Sequence, residues 1–270
     1  MSDKSQLESK GWVWKTAVFS KEEIAQIRKW AEEAKKKNPM GDLLQDDNLW
    51  KVLTDDRVLN LVKELVGPNP VYFGDSNISF DVSDNGFHKD NVDRFNPTGG
   101  DWKGQYTIVR MGIYLQDHFE HSGGLTLREN SHTKPGNDHG KIINVRTKEG
   151  DLLAWYLTTT HSANAHVMKM APNWHLHPRI ARRIPGFLLQ PKIRPRIALF
   201  FSFAANDEHL KRFITYLETR EYAVNRWRNS YYAPEKIEAA KAKGLTILDM
   251  HEASKSMDLS KVSKEHVEMK

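Results

Sequence analysis

The chain contains no cysteine. Disulfides, thiolate metal centres and a cysteine nucleophile are therefore excluded, and a reducing compartment suits the composition. No apolar run reaches the length of a membrane span. The opening MSDKSQLESKGW lacks the apolar core of a secretory signal. The expectation is a soluble, cytoplasmic protein. Charge of one sign is in short supply as well: 40 Lys and Arg face 35 Asp and Glu, a net +5. The basic residues are distributed along the chain, so nucleic acid is not an expected partner. Internal repeats and low-complexity segments are absent too.

What is present is an ordinary globular composition, 39% hydrophobic and 28% charged over 270 residues, enough for one sizeable core. FSKEEIAQIRKWAEEAKKK predicts a helix: Ser20 caps it, Glu23 completes a capping box, and Phe19 staples onto Ile24. DDRVLNLVKELVG predicts a second, stopped at Gly67. The middle of the chain is rich in strand-forming runs: VYFGDSNISFDV, YTIVRMGIYLQD, KIINVRT, DLLAWYLTTT and RIALFFSFAA. Few helical patterns separate them, which argues for an antiparallel sandwich or jelly roll rather than βαβ units. DEHLKRFITYLETR and APEKIEAAKAKG read as later helices, and residues 251–270 as a charged tail. The reading is one domain over residues 1–250, mainly β with flanking helices.

Within GFHKDNVDRF, His88 and Asp90 stand two residues apart, which in extended chain aims both at one point. Taken alone the pair is either a surface ion pair or part of a metal site. EGDLLAWYLTTTHSANAH adds His161 at the exit of a strand, with His166 as its rival. If the sheet folds back on itself, two imidazoles and a carboxylate meet as a facial triad with open positions on the metal. RPRIALFFSFAA places Arg196, with Arg194 as a rival, before an apolar strand. A planar guanidinium there suits a carboxylate, either a ligand's or a local acid's.

These pieces resemble, in order, the phytanoyl-CoA dioxygenase family of iron- and 2-oxoglutarate-dependent oxygenases. The matching segments are FHKD, GIYLQDHFEHSGGLTLRENSHTKP, GDLLAWYLTTTH and RIALFFSF, spanning roughly residues 70 to 205. The resemblance implies a double-stranded β-helix (jelly roll, cupin-like) fold. It implies Fe(II) held by His88, Asp90 and His161, with 2-oxoglutarate on the metal and its far carboxylate on Arg196. It further implies O2 as co-reactant, release of succinate and CO2, and hydroxylation of a small-molecule substrate. Asp90 argues against an iron halogenase, which needs a small residue there. Two alternatives are a non-catalytic metal or 2-oxoglutarate binder of the same fold, and an oxygenase acting on a macromolecule. Oligomeric state and substrate identity are not specified by the sequence.

One departure from the family pattern is the interval of 35 positions between His161 and Arg196. Residues 162–195 are expected to form a lid, with Trp174, Arg179, Arg182 and Arg183 as candidate contacts to an anionic substrate. His118 and His121 are expected to face solvent, His175 and His177 to lie in a loop, and His132 to be structural. Trp102 and Tyr106 either wall the cosubstrate site or fill the core.

Overall fold

The computed structural model describes residues 1–81 and 86–266. The end of the first expected central strand, from Val82, and the last four residues of the charged tail lie outside the described residues. In chain order the elements are α1 (Asp3–Lys10), β1 (Trp12–Lys15), α2 (Lys21–Lys37), α3 (Trp50–Leu53), α4 (Asp56–Val66), β2 (Val71–Phe80), β3 (Ile108–Tyr114), β4 (Gly124–Glu129), β5 (Lys141–Val145) and β6 (Leu152–Tyr156). They continue with β7 (His161–Ala165), α5 (Pro178–Ala181), β8 (Ile197–Ala204), α6 (Glu208–Glu218), α7 (Glu221–Arg228), α8 (Pro234–Ala242), β9 (Thr246–Ile247) and α9 (Met250–Lys255).

Local chemistry explains the helical starts. The Ser20 side chain accepts from Glu23 N–H while the Glu23 carboxylate accepts from Ser20 N–H, the reciprocal capping box. Ile24, Ile27, Ala31 and Ala34 then form the buried stripe of α2. Asp55 caps α4, which buries Val58, Leu59, Leu61, Val62 and Leu65 and ends at Gly67.

The strands form two sheets. The larger has the order β1-β6-β3-β8-β2-β9 and the smaller β5-β4-β7. Every pairing is antiparallel except that of β2 with the short β9. The larger sheet is covered on both faces. Val109, Met111, Leu199, Phe201, Phe203 and Ala154 pack against the helices. Alternate residues Tyr114, Leu153, Trp155 and Ala198 pack toward the small sheet, against Leu125, Leu127 and Val145. That double coverage is why RIALFFSFAA shows no polar alternation. It also means that the polar residues of β2 and β3 facing the small sheet, Asn77, Ser79 and Arg110, point into the space between the sheets, where the metal candidates lie. The expected jelly-roll arrangement with flanking helices is thus observed as a two-sheet sandwich.

Two segments behave differently from a plain loop and a free tail. Residues His161–Ala165 form β7, and the segment beyond is closed on itself by one bridge, Met168 to Leu189. Gln190 N–H donates to Val167 O at 2.7 Å and Lys169 N–H to Leu188 O at 2.9 Å. Residues set apart as a tail include α9, which docks beside α7: Arg228 donates from Nε to Ser254 O at 3.1 Å and from Nη2 to Met257 O at 2.7 Å. The reason is a pair of carbonyls that the guanidinium can satisfy, which composition alone does not register. No helix among the described residues is long and apolar enough to cross a membrane.

Replacing Ser20 with Ala should remove one half of the capping box and lower stability by about 1 kcal/mol. A urea midpoint identical to that of the parent would show that the cap contributes nothing beyond the burial of α2.

Candidate metal centre

Reciprocal backbone bonds bring the candidate ligands together. His88 N–H donates to His161 O at 3.0 Å, and His161 N–H donates to His88 O at 2.9 Å. The ligand strip therefore lies along the outer edge of β7. Asp90 N–H extends the attachment to Leu157 O at 3.0 Å. Asp90 lies two residues on and turns its carboxylate back between the rings. Its oxygens stand 3.8 Å from His88 Nε2 and 3.5 Å from His161 Nε2. One ligand atom from each of the three lies within 4.8 Å of the others, and no other such group of three occurs among the described residues.

Both rings are oriented by their other nitrogen. Nδ1 of His88 donates to Gly86 O and Nδ1 of His161 to Thr159 O, each at 3.0 Å. Nε2 is thereby left as a lone pair facing the carboxylate, the tautomer a metal requires. Burial, reinforced by the charge of His88, lowers the pKa of His161 to about 4, so the ring is neutral at physiological pH. Burial alone would raise the pKa of Asp90. Arg110, and after it the two histidines, outweigh burial and hold the carboxyl well below the usual range.

Arg110 belongs to this cluster although the motifs did not signal it. Its Nη1 donates to Asp90 at 2.8 Å, its Nη2 to Asp75 at 2.6 Å and its Nε to Ser202 at 3.2 Å. Asp75 also receives Arg226 at 3.4 Å. The only cue in the sequence is a lone arginine inside the apolar run YTIVRMGIY. Lys89, between the two ligands, is fully buried, and its Nζ donates to Ser131 O at 2.6 Å and to Thr158 O. It ties the ligand strip to the threonine turn that leads to His161.

The triad lines a cavity of about 180 Å3 together with Asn77, Ser79, Arg110, Tyr114, Leu125, Trp155, Ala163 and Phe200. Behind Tyr114 lies Arg196, which is 3% exposed. Its Nε donates to Gly123 O at 2.6 Å, and its guanidinium carbon sits 5.2 Å from the Tyr114 ring centre. Its Nη1 and Nη2, like the Tyr114 hydroxyl, are buried without a hydrogen-bond partner. Arg194 is exposed and takes no part in this arrangement.

The expectation that His118 faces solvent is overturned. It is 1% exposed, packs edge-on against Tyr114 at 5.2 Å and receives a hydrogen bond from Gln116 Nε2 at 2.8 Å. Its ring fills space that two glycines leave: a Cβ on Gly123 would lie 3.2 Å from it, and Gly123 is at φ +113°. His121 is half-buried and bonds Asp117 at 3.0 Å. His132 stacks on Tyr156 and bonds Glu8 O at 3.0 Å, a structural role. His175 bonds the backbone of Asn144 and His177 packs on Phe87, so those two do not form a chelate with each other. Tyr106 fills the core under the helices, and Trp102 bonds Asp93 O and Asn96 O.

Of the four residues suggested for substrate contact, none lines the metal cavity. Arg179 and Arg182 line a separate cavity of about 490 Å3 with Phe87 and His177, while Arg183 and Trp174 are exposed on the arm.

Solved structures share this architecture. The nickel complex of the non-haem monooxygenase ThoJ is similar over 76% of this chain and 77% of its own, with a TM-score of 0.56 and 13% identity. HygX from Streptomyces hygroscopicus, with nickel and 2-oxoglutarate bound, covers 74% and 85% at a TM-score of 0.52 and 15% identity. The α-ketoglutarate-dependent carbocyclase SnoK from nogalamycin biosynthesis covers 78% and 89% at 0.51 and 15%. The chain has the cupin-like fold of these non-haem enzymes. No protein-family model matches the sequence, and no curated protein matches it. The narrower link to phytanoyl-CoA dioxygenases therefore stays with the motifs.

The buried His118 gives a pH dependence. Burial, then the nearby charge of Arg196, lowers its pKa to about 3. Below the ordinary value of about 6.5 the unfolded chain takes up a proton that the folded one refuses, so stability falls as pH drops toward 3. Between pH 7 and 5 this group should account for a loss of about 2 kcal/mol. Denaturation series at both pH values should show a shallower loss in His118→Gln, and parallel losses in parent and variant would contradict the assignment.

Proposed function

We propose that the protein is a non-haem Fe(II)- and 2-oxoglutarate-dependent oxygenase that hydroxylates a small molecule. The observation that carries this reading is the convergence of two Nε2 lone pairs and one carboxylate on a single point, with every Nδ1 proton directed elsewhere. Two imidazoles and one carboxylate with open positions suit Fe(II). A guanidinium buried with two unpartnered nitrogens suits a carboxylate that accepts from both, which supports Arg196 as the seat for the far end of 2-oxoglutarate. Similarity to HygX, whose structure contains 2-oxoglutarate, points the same way.

When bound, iron and 2-oxoglutarate supply the oxidation of a substrate carbon by O2, with release of succinate and CO2. The chain's own residues do the rest. His161 would enter as a neutral ligand and need lose no proton. Arg110 engages one oxygen of Asp90, which would leave the other free to hold the metal. Trp155, Phe200 and Leu125 wall the cavity with apolar surface and exclude water. Ser79 Oγ is buried there without a partner, and with Asn77 it offers the substrate a polar contact on β2. An anionic group on a larger substrate would extend beyond the cavity toward Arg179, Arg182 and Arg183, beside Trp174.

Anaerobic titration with Fe(II), then with 2-oxoglutarate, tests the assignment. His88→Ala, Asp90→Ala and His161→Ala should each weaken metal binding and abolish succinate release across a metabolite panel, whereas His166→Ala should retain metal. Arg196→Ala should keep the metal and lose about 2–5 kcal/mol of 2-oxoglutarate binding. Unchanged metal affinity in His161→Ala would refute the triad.

A further inference from the structure

The acids of this chain are unevenly placed. Between Ser162 and Pro195 there are six Lys and Arg and no Asp or Glu, against a net +5 for the whole chain. The excess of base over acid therefore resides wholly in this segment. Lys169, Arg179, Arg182, Arg183, Lys192 and Arg194 are all exposed. Among them project four large apolar side chains: Met170 is 89% exposed, Phe187 74%, Trp174 63% and Ile180 58%. The arm itself is anchored, since Val167, Pro178 and Ala181 are buried and Met168 pairs with Leu189. Beyond that bridge, Phe187 stands in the single helical turn Gly186–Leu188. The arm springs from the end of the strand of His161 and returns to Arg196, and its two roots meet at Gly123, whose N–H donates to Ala165 O at 2.7 Å and whose O accepts from Arg196 Nε at 2.6 Å.

Exposed aromatic and aliphatic side chains interspersed with cations, on a segment with no acid in its own sequence, match the chemistry of a bilayer interface with anionic headgroups. Nucleic acid would satisfy the cations but gives Met170, Ile180 and Phe187 no apolar place. A folded acidic protein would need a hollow fitted to side chains that emerge from separate turns, whereas a fluid interface needs no such fit. We propose that residues 166–194 form an interfacial arm that docks on anionic lipid, and that the substrate is an amphiphile presented to the cavity from that surface. The docking stands without the oxygenase reading; only the statement about the substrate rests on it.

The test uses the full chain and vesicles of phosphatidylcholine alone or mixed with phosphatidylserine. Co-sedimentation should occur with the mixed vesicles only, and brominated lipid should quench a fluorescence component that is missing in Trp174→Phe. Combined Lys169→Gln, Arg179→Gln and Arg183→Gln should weaken binding by about 100-fold. Combined Met170→Ser and Phe187→Ser should weaken it at least about tenfold. Failure to bind the mixed vesicles would overturn the proposal. So would binding that is indifferent to the Met170 and Phe187 changes, which would be charge attraction alone, or capture by duplex DNA in preference to vesicles. Iron binding measured in the same variants separates a failure of docking from a failure of the metal reading.

Discussion

Two hydrogen bonds between His88 and His161 are the constraint on which the rest of the site depends. They are backbone bonds, so they are indifferent to side-chain rotamers, and they fix the spacing of the two Cα atoms as in any antiparallel pair. With that spacing set, the rings lie 4.4 Å apart and Asp90 falls between them. Everything around the pair serves to hold the strip at the sheet edge. Asp90 N–H reaches Leu157, Lys89 reaches the carbonyls of Ser131 and Thr158, and the buried Thr159 hydroxyl bonds Gly11 O at 2.7 Å. An otherwise weak edge attachment, far too short to be stable alone, becomes rigid through these side bonds.

The electrostatics follow from burial. Asp75 and Asp90 lie between sheets in a region of low polarisability, where two unpaired carboxylates would be costly. Arg110 bridges them, and Arg226 from α7 meets the first. The helices after β8 are thereby linked to the Asp90 carboxylate through three ion pairs in series. Arg196 is the contrasting case, a buried cation whose Nη atoms have no acid among the described residues to pair with. Asp75 and Asp90 thus meet guanidinium groups, while the Nη atoms of Arg196 stand where a dianion is proposed to enter.

Much of this was legible in the sequence, and the parts that were not have a common cause. Ser20 and Glu23 announce α2 because a capping box is a local device, complete within four residues. The apolar run of β8 and the order of His88, Asp90, His161 and Arg196 were equally readable, since strand runs and motif order are properties of the chain. His118 was misread because its environment is assembled from Gly123, Tyr114 and Arg196, which come close only after folding. Arg110 escaped notice for the same reason: its partners Asp75 and Asp90 are 35 and 20 positions away. The length of the segment 162–195 was readable, while the bridge between Met168 and Leu189 was not.

Each histidine of the candidate triad takes its tautomer from a carbonyl just two residues upstream, Gly86 for one and Thr159 for the other. No distant acid has to be inherited along with the ring for the ring to be correctly protonated. The ligand set is in this sense portable: a descendant can lengthen the arm, exchange Asn77 or Ser79, or recast the helices, and each imidazole still presents the same nitrogen. Under the proposed function, such self-contained histidines would let a lineage alter the walls of the cavity without having to rebuild the candidate metal site.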